Sequence, residues 1–206
     1  MGRTGIMGGT FNPVHIAHIR MAEEAYRQAG LDRVVFMPSK NPPHKKDIHI
    51  IPEKHRRAML KIAINGIPYF EYSDFEFKRE GITYSSETLE LLHRQHPFEE
   101  YFFIMGGDSF FQVESWHMPG KIMEHAVIIA INRGRACRKQ MEAQADKLKN
   151  RYNAKILIAE MPQMDISSSC IRKIILSGGD ASMYLPDGVW EYIKENKCIN
   201  FGTGRT

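Results

Sequence analysis

Short unbroken apolar runs alternate with stretches of helical period along most of the chain. The runs are Thr4–Met7, Val34–Met37, Tyr101–Met105, Ala126–Ile131 and Lys155–Ala159. A strand with one wet face alternates apolar and polar positions; these runs do not, which predicts strands covered on both faces. Between and after them the spacing predicts helices at Ile16–Ala29, Pro52–Ile64, Ser85–Gln95, Ala136–Arg151, Ser169–Ser177 and Pro186–Asn196. Gly30, Gly66 and Gly178 stand where three of these helices should end, and Pro52 and Pro186 where two should begin. Strand–helix alternation with short links predicts an α/β fold with a single-domain, Rossmann-like, doubly wound parallel sheet. Such sheets bind ligands at the carboxyl ends of the strands, near the switch in strand order.

Residues 38–82 depart from this rhythm. A polar loop with Pro42, Pro43, His44 and Lys45 precedes a helix, and Phe70–Phe77 then alternates only partly. The stretch is expected to form an insertion over the sheet edge with a short strand pair. One domain is expected over residues 1–200, and the Gly/Thr-rich tail Phe201–Thr206 is expected to fray. Neither an internal repeat nor a linker interrupts the chain.

Composition narrows the class more than the chemistry. Hydrophobic residues make up 43% and charged residues 25% of 206 positions, ordinary values for a globular protein. The formal charge of +4 suits small anions. Without a Lys/Arg run or a basic helix, no nucleic-acid partner is expected. Cys137, Cys170 and Cys198 lie far apart, so there is no CxxC pattern, and an odd count fits free thiols. The first residues lack the apolar core of a signal peptide, and the longest apolar runs fall far short of the roughly 20 residues of a membrane span. A cytoplasmic protein with no membrane partner is expected; a homo-oligomer is left open.

The chemistry concentrates in two segments. Gly8-Gly9-Thr10-Phe11 ends the first strand, and His15 and His18 stand three apart at the start of the first helix. Glycines let backbone N–H groups approach a ligand, and a helix N-terminus presents unpaired N–H groups that suit phosphate. Side chains three apart on a helix share a face, so both imidazoles can meet one polyphosphate. The second segment, Ile166 to Arg172, follows the last strand and opens a helix with Ser167, Ser168 and Ser169. Serines there supply a cap, hydroxyls and free N–H groups, and Arg172 a forked cation one turn inside. The plainer reading is a capped helix with a solvated arginine. No GxxxxGK[ST] loop occurs, and no GxGxxG follows the first strand, which disfavours a hydride-transferring oxidoreductase.

Gly8–His18 resembles the (H/T)xGH signature of the nucleotidyltransferases, and Ile166–Arg172 their ISSTxIR signature. Ala17 stands where that signature has glycine; it adds one methyl, which helix packing is expected to absorb. Within the superfamily the chain is similar to the bacterial nicotinate-nucleotide adenylyltransferases over nearly its whole length. Pro42-Pro43-His44-Lys45 resembles their PPHK loop. Arg79, Gly81, Thr83, Tyr84 and Ser85 resemble their RxGxSYT segment, with Thr and Ser exchanged. Gly106, Gly107, Asp108 and Ser109, with Trp116, resemble GxDS…W, and Asn132-Arg133-Gly134 resembles RPG without its proline.

The resemblance implies transfer of AMP from ATP to nicotinate mononucleotide, giving deamido-NAD and pyrophosphate. It implies Mg²⁺ carried on the ATP phosphates, with no dedicated protein site. It assigns catalysis to His15, His18 and Arg172. ATP would be held by Gly8, Gly9, Thr10, Phe11, His18, Gly106, Asp108, Ile166, Ser167, Ser168, Ser169 and Arg172. The mononucleotide would meet His44, Lys45, Thr83, Tyr84, Trp116, His117 and Arg133, with Trp116 stacked on the pyridine ring. Phe11 and Trp190 also read as packing residues, and Asp108 also as a helix cap. Two other readings stay open. One is a nicotinamide-nucleotide or phosphopantetheine adenylyltransferase; the other is a nucleotide-binding regulator without turnover.

Overall fold

The computed structural model describes residues 2–40, 50–134 and 137–199. Six parallel strands form one sheet in the order β3-β2-β1-β4-β5-β6. They are β1 (Arg3–Gly9), β2 (Arg33–Pro38), β3 (Phe70–Tyr72), β4 (Glu100–Gly106), β5 (Val127–Asn132) and β6 (Ile156–Glu160). The helices are α1 (Ile16–Ala29), α2 (Glu53–Ile64), α3 (Ser85–Gln95), α4 (Gly107–Gln112), α5 (Pro119–His125), α6 (Arg138–Tyr152), α7 (Ser168–Leu176) and α8 (Val189–Asn196).

Both faces of the sheet are buried, which is why the strand runs are continuously apolar. Along β4, Phe102 and Ile104 enter one core with α1, α2, α7 and α8. Tyr101, Phe103 and Met105 enter the opposite core with α3, α5 and α6. Helix α1 shows how one stripe is made: Ala17, Met21, Ala22, Ala25 and Ala29 are buried, so small residues let the helix lie close to the sheet. Ala17 is fully buried, and its methyl fits that contact. Gly30 ends α1 at φ 58°, the left-handed conformation in which glycine carries no Cβ penalty.

Three expectations change. Residues 38–82 do lie at the sheet edge, but among the described residues they add one parallel strand, β3, with α2 as its crossover helix. Helix α8 starts at Val189 rather than Pro186, because Gly188, at φ 78°, turns the chain into it. The short helices α4 and α5 were not expected; at 6 and 7 residues they carry too little period to be read. The PPHK-like loop, the expected helix start at Ala136 and the tail Phe201–Thr206 fall outside the described residues.

The strand order turns around β1: β2 leaves on one side and β4 on the other. The crevice that this opens, at the carboxyl ends of β1 and β4, is where both motif segments arrive.

Candidate functional site

The crevice holds two adjoining cavities. The larger, about 330 Å³, is lined by Gly8–Asn12, His15, His18, Gly106, Asp108, Arg133, Ile166–Ser169 and Arg172. The smaller, about 240 Å³, is lined by Ile6, Met37, Glu76, Thr83, Tyr84, Phe103, Trp116 and His117 among others. Gly8, Gly9, Thr10, Phe103, Ser109 and Trp116 border both.

In the larger cavity the two distant motif segments are bonded to each other. Ser168 Oγ donates to the Pro13 carbonyl at 2.9 Å, and an Arg172 Nη donates to the Asn12 carbonyl at 2.8 Å. A second Arg172 Nη donates to Ser169 Oγ at 3.2 Å. Ser167 caps α7, its Oγ accepting from the Cys170 N–H at 3.2 Å. Burial lowers the Arg172 pKa, yet from so high a start that the guanidinium stays cationic. Loop and helix start thus form one wall of donors.

The two imidazoles differ. His15 is the N-cap of α1, and its N–H donates to Nδ1 of His18 at 3.2 Å. That bond leaves the proton of a neutral His18 ring on Nε2. The rings stack at 3.7 Å between centroids, and Phe11 meets His18 edge-on at 5.1 Å. His15 is 3% exposed, and burial, with the nearby Arg133 charge, pushes its pKa down to about 3. Its ring is neutral, its backbone N–H fixes its neighbour, and Arg172 and Arg133 bring fixed positive charge to this cavity. Phe11 is buried at φ 46°, a strained value for a side chain with Cβ, and packs on His18 and Phe36. A Cβ on Gly9 would lie 3.2 Å from the Phe11 ring, so packing as well as ligand approach favours glycine there.

Asp108, in the first turn of α4, pairs with Arg133 at 3.1 Å. Arg133 lines the larger cavity and not the smaller, so it stands on the donor-walled side of the crevice. Gly106 precedes α4 as its N-cap, and Ile166 is buried beside Ser167.

The smaller cavity has aromatic and apolar walls. Trp116 meets Phe103 edge-on at 6.3 Å, and Tyr84 packs on His117 at 4.1 Å. Thr83 is buried, and its hydroxyl donates to Glu76 Oε2 at 3.0 Å. Trp190 lies in the core away from both cavities, a packing residue as read. His44 and Lys45 lie outside the described residues.

Three contributors escaped the sequence reading. Ser109 borders both cavities, although the GxDS-like stretch around it was noted. Glu76 lines the smaller one. Arg56 is 1% exposed and donates to the carbonyls of Thr10 at 3.0 Å, Ser39 at 2.7 Å and Ile51 at 2.9 Å. It clasps the ends of β1 and β2 to the chain before α2. Its only sequence signal was an arginine among the apolar positions of a helix, which reads equally as a solvated face.

The cytidylyltransferase-like family model matches residues 6–174. A Lachnoclostridium phytofermentans protein named "Probable nicotinate-nucleotide adenylyltransferase" is 42% identical, covering 94% of this chain and 96% of its own. A Carboxydothermus hydrogenoformans protein of the same name is 40% identical over the same shares. Among solved structures, the Plasmodium falciparum nicotinic acid mononucleotide adenylyltransferase complexed with NaAD superposes with a TM-score of 0.82. It is 20% identical and covers 98% of both chains, which shows a shared fold.

Proposed function

The chain belongs to the cytidylyltransferase-like family and, within it, to the nicotinate-nucleotide adenylyltransferases, and from that premise we propose that it transfers AMP from ATP to nicotinate mononucleotide, releasing pyrophosphate and deamido-NAD in NAD biosynthesis. The observation that carries this reading is the joined pair of cavities. One is walled by phosphate donors, the other by aromatic rings, and both open on Gly8–Thr10.

The reaction needs alignment and charge neutralisation rather than a covalent intermediate. The triphosphate lies in the larger cavity. The backbone of Gly8–Thr10 and the start of α7, with Ser167–Ser169, donate to it, and Arg172 neutralises it. Nε2 of His18 donates to oxygens of the α-phosphate and the leaving pyrophosphate as charge grows there. His15, neutral and stacked, holds that ring in place. Asp108 accepts from the ribose of ATP. Arg133 meets the mononucleotide phosphate, the nucleophile, which attacks the α-phosphorus in line with the departing pyrophosphate. The pyridine ring enters the smaller cavity against Trp116, with Thr83, Tyr84 and His117 around it. The N–H groups at the start of α3 favour an anionic carboxylate there over an amide. The resemblance also assigns His44 and Lys45, which lie outside the described residues, to the mononucleotide.

Among the described residues no group of three His, Cys, Asp or Glu side chains is arranged around a metal position. The larger cavity is walled by imidazoles, guanidiniums and N–H groups suited to anions, with the Asp108 carboxylate among them, and in this reading Mg²⁺ is carried on the ATP phosphates. No helix among the described residues is long and apolar enough to cross a membrane.

The test is pyrophosphate release from ATP and Mg²⁺ with nicotinate mononucleotide, nicotinamide mononucleotide or phosphopantetheine. The first substrate should win clearly. Release with phosphopantetheine alone would overturn the assignment.

A further inference from the structure

Glu76 is a charged residue in the wrong place for a solvated one. It is 7% exposed and forms part of the wall of the smaller cavity. Both of its oxygens are taken by hydroxyls: Oε2 accepts from Thr83 Oγ1 at 3.0 Å and Oε1 from Thr88 Oγ1 at 2.9 Å. Thr88 Oγ1 in turn accepts from an Arg79 Nη at 2.9 Å, and another Arg79 Nη pairs with Glu87 at 2.6 Å.

The two threonines straddle the start of a helix. Tyr84 is the N-cap of α3 and makes no side-chain cap bond, so Thr83 stands just before the cap and Thr88 in the second turn. Those are the positions that a pair of apolar side chains bridges in a hydrophobic staple. Here a carboxylate bridges them. The chain reaches Thr83 through Gly81, whose φ of 75° lets it turn back toward Glu76. Thr83, Tyr84 and Ser85, the residues so held, line the ring cavity.

We propose that Glu76 is a positioning residue for the mononucleotide: its carboxylate clamps Thr83 to Thr88 and so presents the first N–H groups of α3 to the pyridine substituent, which makes the acid preferred over the amide. The role rests on the substrate reading above. Unpaired N–H groups at a helix start act over short range, so a small swing of the Thr83–Ser85 turn removes the preference. A carboxylate beside an anionic ligand needs its own charge offset. The hydroxyls occupy its oxygens, and Arg79 supplies a cation across Thr88. Burial also pushes the Glu76 carboxyl above its ordinary range, against which both threonine bonds and Arg79 act.

The experiment compares wild type, Glu76→Ala, Glu76→Gln and Thr88→Val in pyrophosphate release with nicotinate and nicotinamide mononucleotides, alongside thermal unfolding. Glu76→Ala should raise KM for nicotinate mononucleotide and lower the acid-to-amide ratio of kcat/KM, each about tenfold, while KM for ATP stays within about twofold. Glu76→Gln keeps a bridging oxygen and should stay within about threefold of wild type. Thr88→Val should give an intermediate loss of ratio, and it decides the matter if Glu76→Ala does not fold. A purely structural role would lower the unfolding temperature and leave the ratio alone. An unchanged ratio in the folded variants, KM values for both substrates rising together, or a loss in Glu76→Gln as large as in Glu76→Ala would each overturn the proposal. A wild-type protein inactive with nicotinate mononucleotide would bring down the substrate reading, and this role with it, before any variant is compared.

Discussion

The two cavities share Gly8–Thr10 as a common border and are built on opposite principles. The larger is a wall of donors contributed by two segments about 150 residues apart and tied together by Ser168 and Arg172. The smaller is a slot of rings and methyl groups with one buried carboxylate behind it. A polyphosphate is held by charge and N–H groups, which tolerate water and small shifts. A pyridine ring is held by shape, with a few polar groups to read its substituent. Damage to the first should therefore fall on turnover, and damage to the second on affinity and discrimination.

The largest effect expected is on the donor side. His18→Ala should lower kcat by on the order of 100-fold, the scale of losing one donor that acts mainly in the transition state, with the mononucleotide KM little changed. Steady-state kinetics of a variant with a native circular dichroism spectrum checks this. A loss confined to KM would erase the contrast between the cavities.

On the ring side, Trp116→Ala should raise the mononucleotide KM about tenfold, as expected for removing a stacked aromatic face. Trp116 borders both cavities, so the informative quantity is the ratio of the two KM changes. Equal increases for ATP and mononucleotide would count against stacking.

The smallest effect concerns the charge state of His15. Its folded pKa of about 3 lies below the unfolded value of 6.5, so only the unfolded chain takes up this proton as pH falls between them. Stability from this group is therefore full above about pH 6.5 and is lost as pH drops toward 3. Between about pH 7.5 and about pH 5.5, wild type should lose on the order of 1 kcal/mol more than His15→Gln, measured by urea unfolding. Parallel pH profiles would mean that the folded protein takes up the His15 proton as readily as the unfolded chain does.

Legibility in the sequence followed the range of the interaction. Strands β1, β2, β4, β5 and β6 and helices α1, α2, α3, α6, α7 and, apart from its start, α8 were readable because hydrophobic period is a property of neighbours. The two donor segments stood out because glycines, serines and helix-start histidines act where they stand. The partial alternation at Phe70–Phe77 pointed to a short strand pair where one strand, β3, forms, and the short helices α4 and α5 carry too little pattern to stand out. Asp108 was seen, but its pairing with Arg133 depends on β4 and β5 lying side by side.

The sequence alone determined a doubly wound sheet, two donor-rich segments that meet at its switch point and the family to which these motifs point. Each of those follows from local chemistry: period, capping and the residues that end a strand. Only the tertiary structure decided that His15 is neutral, that Arg56 clasps three carbonyls and that Glu76 staples the start of α3. The state of an ionisable side chain depends on its burial and its partners. Both are set by the order in which strands and helices pack, which no local stretch of residues contains.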